Sequence, residues 1–377
     1  MGAEPRAGKT VAPEGEDRRL SIPTRGRAGC RTGRPTWRSK AGGRSALLVA
    51  VVLLAGCRLG PGVEGLVDLA PPGSDSLRLV YLGTGGWIME HGDAQIMAAP
   101  LFSNPGVVRT GLWTIQADTS EIDRWMSQYD VRRTSVILSG HAHYDHLMDV
   151  PRVAKRHAPR ARILGNRTVA YTLSMWSGVA DRMDVVDPAG AADHETAASH
   201  AEALWRQYGD VRVLPLRSHH AAHFDGYTLY QGSREYPLEE APTVAGDWLD
   251  GNTLAFLIDF LDDNGRVAFR IYYQDAVAAP PLGFAPDALI AERPVDVALF
   301  VPATFDQVDW HPEAFVENLQ PRWVLLGHWE DFFVPVDAPT RSIFLSDIGH
   351  FEDRLERVFD GPFWRPEIGT EFRFPGR

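Results

Sequence analysis

The chain has 377 residues, of which 44% are hydrophobic and 23% charged, and this composition provides enough apolar material for a sizeable globular core. The formal net charge is −11, but residues 1–56 carry 11 Lys and Arg against 4 Asp and Glu, which leaves 27 against 45, or −18, for the rest. A body this acidic argues against nucleic acid as the main ligand, because phosphate binding needs a basic face. The two cysteines, Cys30 and Cys57, are too few for a disulfide framework and lie outside any candidate metal cluster.

The N-terminal region has the order of a bacterial secretion signal. A basic stretch precedes a run of ten apolar residues, Ala46–Ala55, which is too short to cross a bilayer as a helix but fits the core of a signal peptide. The run leads into Cys57 through Leu-Ala-Gly, which resembles the lipobox of bacterial lipoproteins. We therefore expect residues 1–56 to be a leader with a lipoprotein signal peptide, and a lipidated Cys57 to anchor an extracytoplasmic body to a membrane of the cell envelope. The alternative is a short buried helix with an incidental cysteine.

After the predicted anchor, the sequence predicts first a tether and then a series of strands. Residues 57–75 comprise the lipidated cysteine and a Pro- and Gly-containing stretch that predicts a tether. Short β-prone runs bounded by turn residues then predict strands. They are Leu77–Leu82, Trp87–His91, Ala94–Met97, Ser135–Leu138, Arg162–Leu164, Met183–Val186, Val211–Leu216, Thr253–Phe260, Val267–Tyr273, Val297–Val301 and Trp323–Leu326.

Helices and loops alternate with these strands. Residues 99–119 show no clear period and predict a loop, whereas Ser120–Gln128 predicts a helix with Ser120 as its N-cap. Met148–His157 and Pro312–Asn318 also have helical patterns. An Asn-Gly turn within residues 262–265 predicts a hairpin between two strands.

This alternation indicates an α/β protein built in layers. The body contains no interior linker, low-complexity stretch or repeat, so we expect one catalytic domain over residues 76–377.

Four potential metal ligands lie within six residues, directly after the strand Ser135–Leu138. They are His141, His143, Asp145 and His146. Gly140 would let the chain turn sharply at the strand end, so that these side chains converge on one point. Imidazoles and a carboxylate without a thiolate suit Zn, and also Mn or Fe, and the spacing serves two adjacent metals. The alternative is a histidine-rich surface turn.

The motif His-x-His-x-Asp-His after a strand resembles the signature of the metallo-β-lactamase superfamily. Further residues of that pattern follow in order at strand ends: a cluster of His219, His220 and His223, then Asp275, then His328. The resemblance spans about 190 residues, from His141 to His328, and implies an αββα sandwich.

The resemblance also implies the ligand sets of two divalent metal ions, with Zn favoured. One metal would be held by His141, His143 and one later histidine, and the other by Asp145, His146 and His328, with Asp275 bridging. Among the three later histidines we favour His220, because the chain after Leu216 needs a few residues to reach back to the site. His223 could instead contact a ligand or the substrate.

The implied activity is that of a metal-dependent hydrolase. A hydroxide held between the metals and Asp275 would attack a phosphorus or carbonyl centre, and Asp145 would orient it. The stretch Tyr81–Glu90 is similar to the lactonase-like and N-acyl-phosphatidylethanolamine phospholipase D-like branch. However, Ala98-Ala99-Pro100 replaces that branch's Thr-Asp-Pro and lacks its carboxylate. We favour a small-molecule or lipid substrate with a phosphodiester or other ester bond over a lactone or a β-lactam.

Two other functions remain open from the sequence. One is a non-catalytic metal-binding lipoprotein of the envelope, which would not need an open two-metal site. The other is a di-iron redox protein, which would usually need a flavin domain or an acidic ligand in place of a histidine. The segment after His328, Trp329–Phe333, would either line a substrate pocket or pack in the core.

Overall fold

The computed structural model describes residues 62–344 and 346–377. The predicted leader, the signal peptide and Cys57 lie outside the described residues. The described residues belong to one compact unit. In the described part of the chain, no helix combines the length and the apolar character needed to cross a membrane.

The described residues form two eight-stranded mixed sheets, here called sheet A and sheet B. In spatial order, sheet A contains β1 (Gly62–Val63), β15 (Phe363–Pro366), β14 (Trp323–Leu326), β13 (Val297–Phe300), β12 (Val267–Tyr273), β11 (Leu254–Leu261), β10 (Val211–Arg217) and β9 (Arg206–Tyr208). Sheet B contains β2 (Leu66–Asp68), β16 (Glu371–Pro375), β3 (Ser76–Gly83), β4 (Gly86–His91), β5 (Ala94–Ala98), β6 (Val136–Ser139), β7 (Arg162–Asn166) and β8 (Met183–Val186).

The helices connect these strands. They are α1 (Val107–Leu112), α2 (Thr119–Met126), α3 (Tyr144–Leu147), α4 (Val150–Arg156), α5 (Arg167–Leu173), α6 (Ala198–Leu204), α7 (Asp287–Glu292), α8 (Glu313–Leu319) and α9 (Ile348–Val358).

Alternate residues of the strands face two different cores, which makes the fold an αββα sandwich. In β11, Phe256 and Ile258 belong to a core shared with sheet B, whereas Ala255 and Leu257 belong to a core shared with α7, α8 and α9. The side chains of sheet B also alternate between the shared core and an outer core, and the outer core is formed with α2, α4 and α5. Successive side chains of a strand point to opposite faces, so each sheet is covered on both sides. The predicted α/β class and αββα layers are therefore confirmed.

The predicted tether is wrong over part of its length. β1 and β2 lie within it and pair in parallel with β15 and β16, near the C-terminus. Both are edge strands of two or three mostly exposed residues, so they lack the hydrophobic alternation that identifies a strand in a sequence. The folded domain consequently begins before residue 76.

Two local predictions near the first loop are also wrong. The segment 99–119 contains α1, whose Val107, Val108 and Leu112 are exposed, so it has no apolar stripe for a sequence pattern to reveal. The N-cap of α2 is Asp118 rather than Ser120, because its carboxylate accepts hydrogen bonds from the backbone N–H groups of Ser120 and Glu121.

The predicted hairpin is confirmed. β11 and β12 pair antiparallel across the turn, with an irregularity between Phe260 and Leu261. The carboxyl ends of β6, β12 and β14 are followed by the motif His141–His146, by Asp275 and by His328 respectively. These three strand ends carry most of the candidate metal centre.

Candidate metal centre

The His-x-His-x-Asp-His motif follows β6 and enters α3. His143 is the N-cap residue of α3, so Asp145 and His146 lie in its only turn. All four candidate ligands of the motif are buried.

The turn at Gly140 brings two strand ends close together. The backbone of Gly140 does not adopt a positive φ angle. A Cβ at this position would instead lie 2.3 Å from the Leu254 carbonyl oxygen and 2.6 Å from the Asp275 Cβ. Gly140 is therefore needed because two strand ends approach each other closely, not because the chain adopts a left-handed conformation.

Asp275 orients His141 through two hydrogen bonds. Its Oδ2 lies 2.9 Å from the His141 backbone N and 2.7 Å from the His141 Nδ1. Since a carboxylate only accepts, Nδ1 carries the proton and the Nε2 lone pair is free. That Nε2 is buried without a hydrogen-bond partner, and a carboxylate-bound imidazole with a free Nε2 is the usual arrangement of a metal-ligating histidine.

His220 has the same arrangement with a different partner. Its Nδ1 lies 2.7 Å from the carbonyl oxygen of Ala221, and a carbonyl can only accept. The Nε2 of His220 is thus left free, and ligand atoms of His141, His143 and His220 all lie within 4.8 Å of one another. Burial is the main cause that holds the pKa of His220 well below its usual value, and the neighbouring His143 and His141 lower it further. The ring of His220 is therefore neutral.

The other two histidines of that cluster lie in different surroundings. His219 is exposed. His223 stacks on His220 with ring centroids 4.7 Å apart, but its Nδ1 accepts a hydrogen bond from the backbone N–H of Leu229. In the neutral ring the proton of His223 is then on Nε2, which cannot ligate while protonated. The geometry favours His220 as the ligand and leaves His223 as a donor beside it.

A second group of ligand atoms consists of His141, Asp145 and His146, again within 4.8 Å of one another. His146 directs Nδ1 at Asp275 Oδ1, 3.2 Å away, and Nε2 at Asp145 Oδ2, 3.5 Å away. His328 Nε2 also lies 3.3 Å from that same Asp145 oxygen. Burial alone would raise the pKa of Asp145, but the neighbouring imidazoles of His146 and His328 hold it well below its usual value.

Asp275 lies behind the histidine rings rather than among the grouped ligand atoms. Its two oxygens face the Nδ1 atoms of His141 and His146, and the hydroxyl of Tyr273 donates to Oδ1 over 2.5 Å. Burial would raise the pKa of Asp275, but His146 and His141 hold it well below its usual value. This arrangement aligns two rings at once, while the predicted bridge between two metals stays a prediction.

His328 is held by residues that the sequence did not reveal. Its backbone is left-handed, with φ 54°, and its N–H donates to the hydroxyl of Tyr81 over 2.8 Å. That hydroxyl donates in turn to Glu330, which also accepts from the backbone N–H of Thr84. The segment after His328 therefore has a double role: Trp329 and Glu330 are buried, whereas the next two phenylalanines line a cavity.

Two further positions were missed. A Cβ on Gly85 would lie 2.7 Å from the His146 Nδ1, so only glycine fits against that ring. Asp149, buried at the start of α4, accepts from the backbone N–H groups of Phe102 and Ser103 and from the Ser103 hydroxyl. Burial raises the pKa of Asp149 to about 6. Both contacts join segments far apart in the chain, so no local pattern signals them.

These residues fit a pair of metal ions. Buried polar atoms normally have partners, yet the Nε2 atoms of His141 and His143 have none. The Nε2 of His146 and the Asp145 carboxylate, both acceptors, face each other, which a cation between them would explain. Together the two groups that share His141 make a potential dimetal site of histidine and carboxylate ligands.

A cavity of about 300 Å³ opens over this centre. We call the candidate metal centre below it the base. Its residues Asp145, His146, His220, Asp275 and His328 line the cavity, and His141 and His143 are grouped with these ligands without lining it. We call its apolar sides the walls, which consist of Phe224, Leu229, Val277, Phe332, Phe333 and Phe344.

Comparisons with known proteins give structural likeness only. No protein-family model matches the chain, and no curated protein matches it. A metallo hydrolase from the archaeon Ignicoccus hospitalis KIN4/I is 16% identical, with 80% of this chain and 100% of that chain covered and a TM-score of 0.44. A metallo-β-lactamase fold protein from Bacillus subtilis is 11% identical, with 80% and 100% covered and a TM-score of 0.44.

A di-iron β-hydroxylase from Streptomyces venezuelae is 14% identical, with 81% of this chain and 55% of that chain covered and a TM-score of 0.45. At these identities and TM-scores the likeness carries no conclusion about the activity of this chain.

Proposed function

We propose that the protein is a metal-dependent hydrolase. The observation that carries this proposal is the convergence of buried, unpartnered imidazole nitrogens at the base of an open cavity. His141, His143 and His220 would hold one ion, and Asp145, His146 and His328 the other. The cavity leaves room for a substrate above the base, as a catalytic site requires and a purely structural metal site does not.

A divalent metal pair bound there would lower the pKa of a water molecule and polarise the oxygen of a scissile bond. The protein residues would do the remaining work. Asp275 fixes the rings of His141 and His146 through their Nδ1 atoms, so that the two Nε2 lone pairs do not rotate away. Asp145 lies at the junction of His146 and His328 and faces the cavity, where its free oxygen could orient the attacking water and accept its proton.

His223 would supply a hydrogen-bond donor beside the base. The N–H of Leu229 fixes its tautomer, so the proton of the neutral ring is on Nε2. A donor at this edge would stabilise the negative charge that develops on the substrate oxygen during hydrolysis.

The finer assignment is hydrolysis of a phosphodiester or other ester bond, in the lactonase-like and phospholipase D-like branch of the metallo-β-lactamase superfamily. We also propose that Cys57 is lipidated and that the protein acts in the bacterial cell envelope, outside the cytoplasm. The support for this location is the order of basic residues, apolar core and small residues before Cys57.

The test combines metal analysis with a substrate panel. The purified protein, loaded separately with Zn, Mn and Fe, is assayed against chromogenic phosphodiesters, carboxylic esters, lactones and β-lactams. Turnover of an ester that is lost on chelation and restored by metal supports the proposal. Metal binding without turnover of any panel member would favour a binding protein instead.

A further inference from the structure

The walls of the cavity differ chemically from its base. All six wall residues are apolar, and within the described part of the chain neither lysine nor arginine lines the cavity. The carboxylates in the lining, Asp145 and Asp275, lie at the base and face histidines. A substrate therefore meets polar groups and charges at the base and a mostly apolar surface above it, where the described lining has no carboxylate, lysine or arginine and also includes Thr304 and Ser346.

The wall residues are attached to the same segments that carry the candidate ligands. Val277 follows Asp275 by two residues, and Phe332 follows His328 by four. The ring of Phe332 lies 5.0 Å from that of His328 and 4.6 Å from that of Phe333. An apolar group held by this wall would be next to the reacting bond rather than at a distant site.

Hydrogen bonds hold this side of the cavity in shape. Asp331 accepts from the backbone N–H of Phe333 over 3.0 Å and pairs with Arg341 over 2.7 Å. The backbone N–H of Ile343 donates to Trp329 over 2.9 Å, which ties the end of the loop to the strand that carries His328. Pre-formed walls bind a ligand without an ordering cost.

Several apolar side chains at the mouth are left in contact with solvent. Phe344 is 77% exposed, and Phe224 is 39% exposed. Val107 of α1, which also lines the cavity, is 60% exposed. Exposed apolar groups that cluster around a cavity are characteristic of a binding surface.

We propose that the substrate is an ester with an apolar acyl chain, which occupies the walls while the ester group lies at the base. This inference rests on the proposed hydrolase function and narrows it to uncharged hydrophobic carboxylic esters. Hydrolysis adds water across the bond between the acyl carbon and the alkoxy oxygen. The acyl carbon gains the hydroxyl group of water and forms the carboxylic acid, which releases its proton to solvent and leaves as a carboxylate. The alkoxy oxygen takes the other proton of the water and leaves as the alcohol.

The first experiment is a chain-length series of 4-nitrophenyl esters from acetate to decanoate, assayed with the metal-loaded protein. Transfer of one methylene from water to an apolar site is worth about 0.8 kcal/mol, or roughly fourfold, when it is fully buried. With partial burial we expect kcat/KM to rise about twofold or more per methylene until the cavity is filled. A flat or falling series, or preference for an anionic phosphodiester of equal size, would overturn the inference.

Single substitutions test whether the wall residues cause the preference for long acyl chains. Phe332→Ala and Phe344→Ala should each reduce the ratio of decanoate to acetate kcat/KM by about tenfold, since each removes part of a wall. Tyr236→Ala is the matched control, because Tyr236 is 79% exposed but does not line the cavity. Its chain-length ratio should equal that of the unmodified protein, and an equal loss in all three variants would contradict the assignment.

A binding measurement separates this inference from the hydrolase proposal. Decanoate and acetate are titrated calorimetrically into the metal-loaded protein. Decanoate should bind at least tenfold more tightly, and Phe332→Ala should weaken it, even if no ester is turned over. If esters are hydrolysed but decanoate binds no more tightly than acetate, the inference fails while the hydrolase function stands. If decanoate binds but the complete panel is inert, the hydrolase function fails.

Discussion

At the base of the cavity, polar side chains are held in place by one another, whereas the walls are apolar and partly exposed. The Nδ1 atoms of His141 and His146 both hydrogen-bond to Asp275, and the Nδ1 of His220 hydrogen-bonds to a backbone carbonyl. The rings of Phe224 and Phe344 make no comparable directional contact. The base therefore has one arrangement fixed by hydrogen bonds, while the walls are defined by shape and hydrophobicity. Changes at the base should therefore abolish activity, and changes at the walls should alter selectivity.

The largest effect is expected at Asp275, the residue on which two ligand rings depend. Asp275→Asn keeps the size but removes the charge, and an amide nitrogen cannot accept a hydrogen bond from His141 or His146. We expect hydrolysis to fall by about a thousandfold or more, together with loss of metal. Asp263→Asn, an exposed carboxylate on the β11–β12 turn, should be unchanged in rate and metal content. A near-normal rate for Asp275→Asn would remove the central role given to this carboxylate.

The next effect separates His220 from its neighbour His223. His220→Ala removes one of three grouped imidazoles and should weaken binding of one ion by about a hundredfold or more, at or above the upper end of what loss of an outer hydrogen-bond partner costs. His223→Ala should keep the metal and lower kcat alone, because its tautomer makes it a donor. Equilibrium dialysis with Zn measures both variants. Equal metal loss in the two would show that His223 also ligates.

Gly140 tests how closely the base is packed. A Cβ there would contact Leu254 and Asp275 at 2.3 and 2.6 Å, so Gly140→Ala should lower the free energy of unfolding by roughly 1–3 kcal/mol and also reduce metal affinity. Gly111→Ala is the control, because nothing lies within 4 Å of a Cβ at Gly111. Chemical denaturation and metal titration of both variants check the prediction, which fails if the two variants behave alike.

The αββα layers and the order of the later ligands were implied by the resemblance to the metallo-β-lactamase superfamily, and the strands and the first ligand cluster could be predicted from local patterns. The supporting contacts could not. Tyr81 and Glu330 are 249 residues apart, and Gly85 contacts His146 because the β3–β4 turn and the segment after β6 lie at the same end of sheet B. β1 and β2 were missed because they are short, exposed edge strands, and α1 because its apolar residues face solvent.

The buried carboxyl of Asp149 should make the stability of the fold depend on pH. Its folded-state pKa is raised to about 6 from 3.8, so the neutral form is favoured in the fold. Its stabilising contribution is present below the unfolded pKa and is lost as pH rises through about 6. Relative to Asp149→Asn, the unmodified protein should lose on the order of 2–3 kcal/mol of stability between pH 4 and 7. A constant difference across that range would show that burial does not perturb this carboxyl.

The smallest effect is expected at Arg341, which supports the walls from outside. Its side chain is 67% exposed and pairs with Asp331, so the pair contributes little to stability. Arg341→Ala should loosen Phe332 and Phe333, raise KM for apolar esters about two- to threefold, and leave metal content unchanged. Metal loss in this variant would mean that a change at the walls also alters metal binding at the base.

The most direct test of the account is the metal content of the folded protein, measured by mass spectrometry after metal loading and removal of excess ion. We expect two transition-metal ions per chain, and a content of about one in His220→Ala. A protein that retains no metal under these conditions, or whose metal content is the same in His220→Ala, would contradict it.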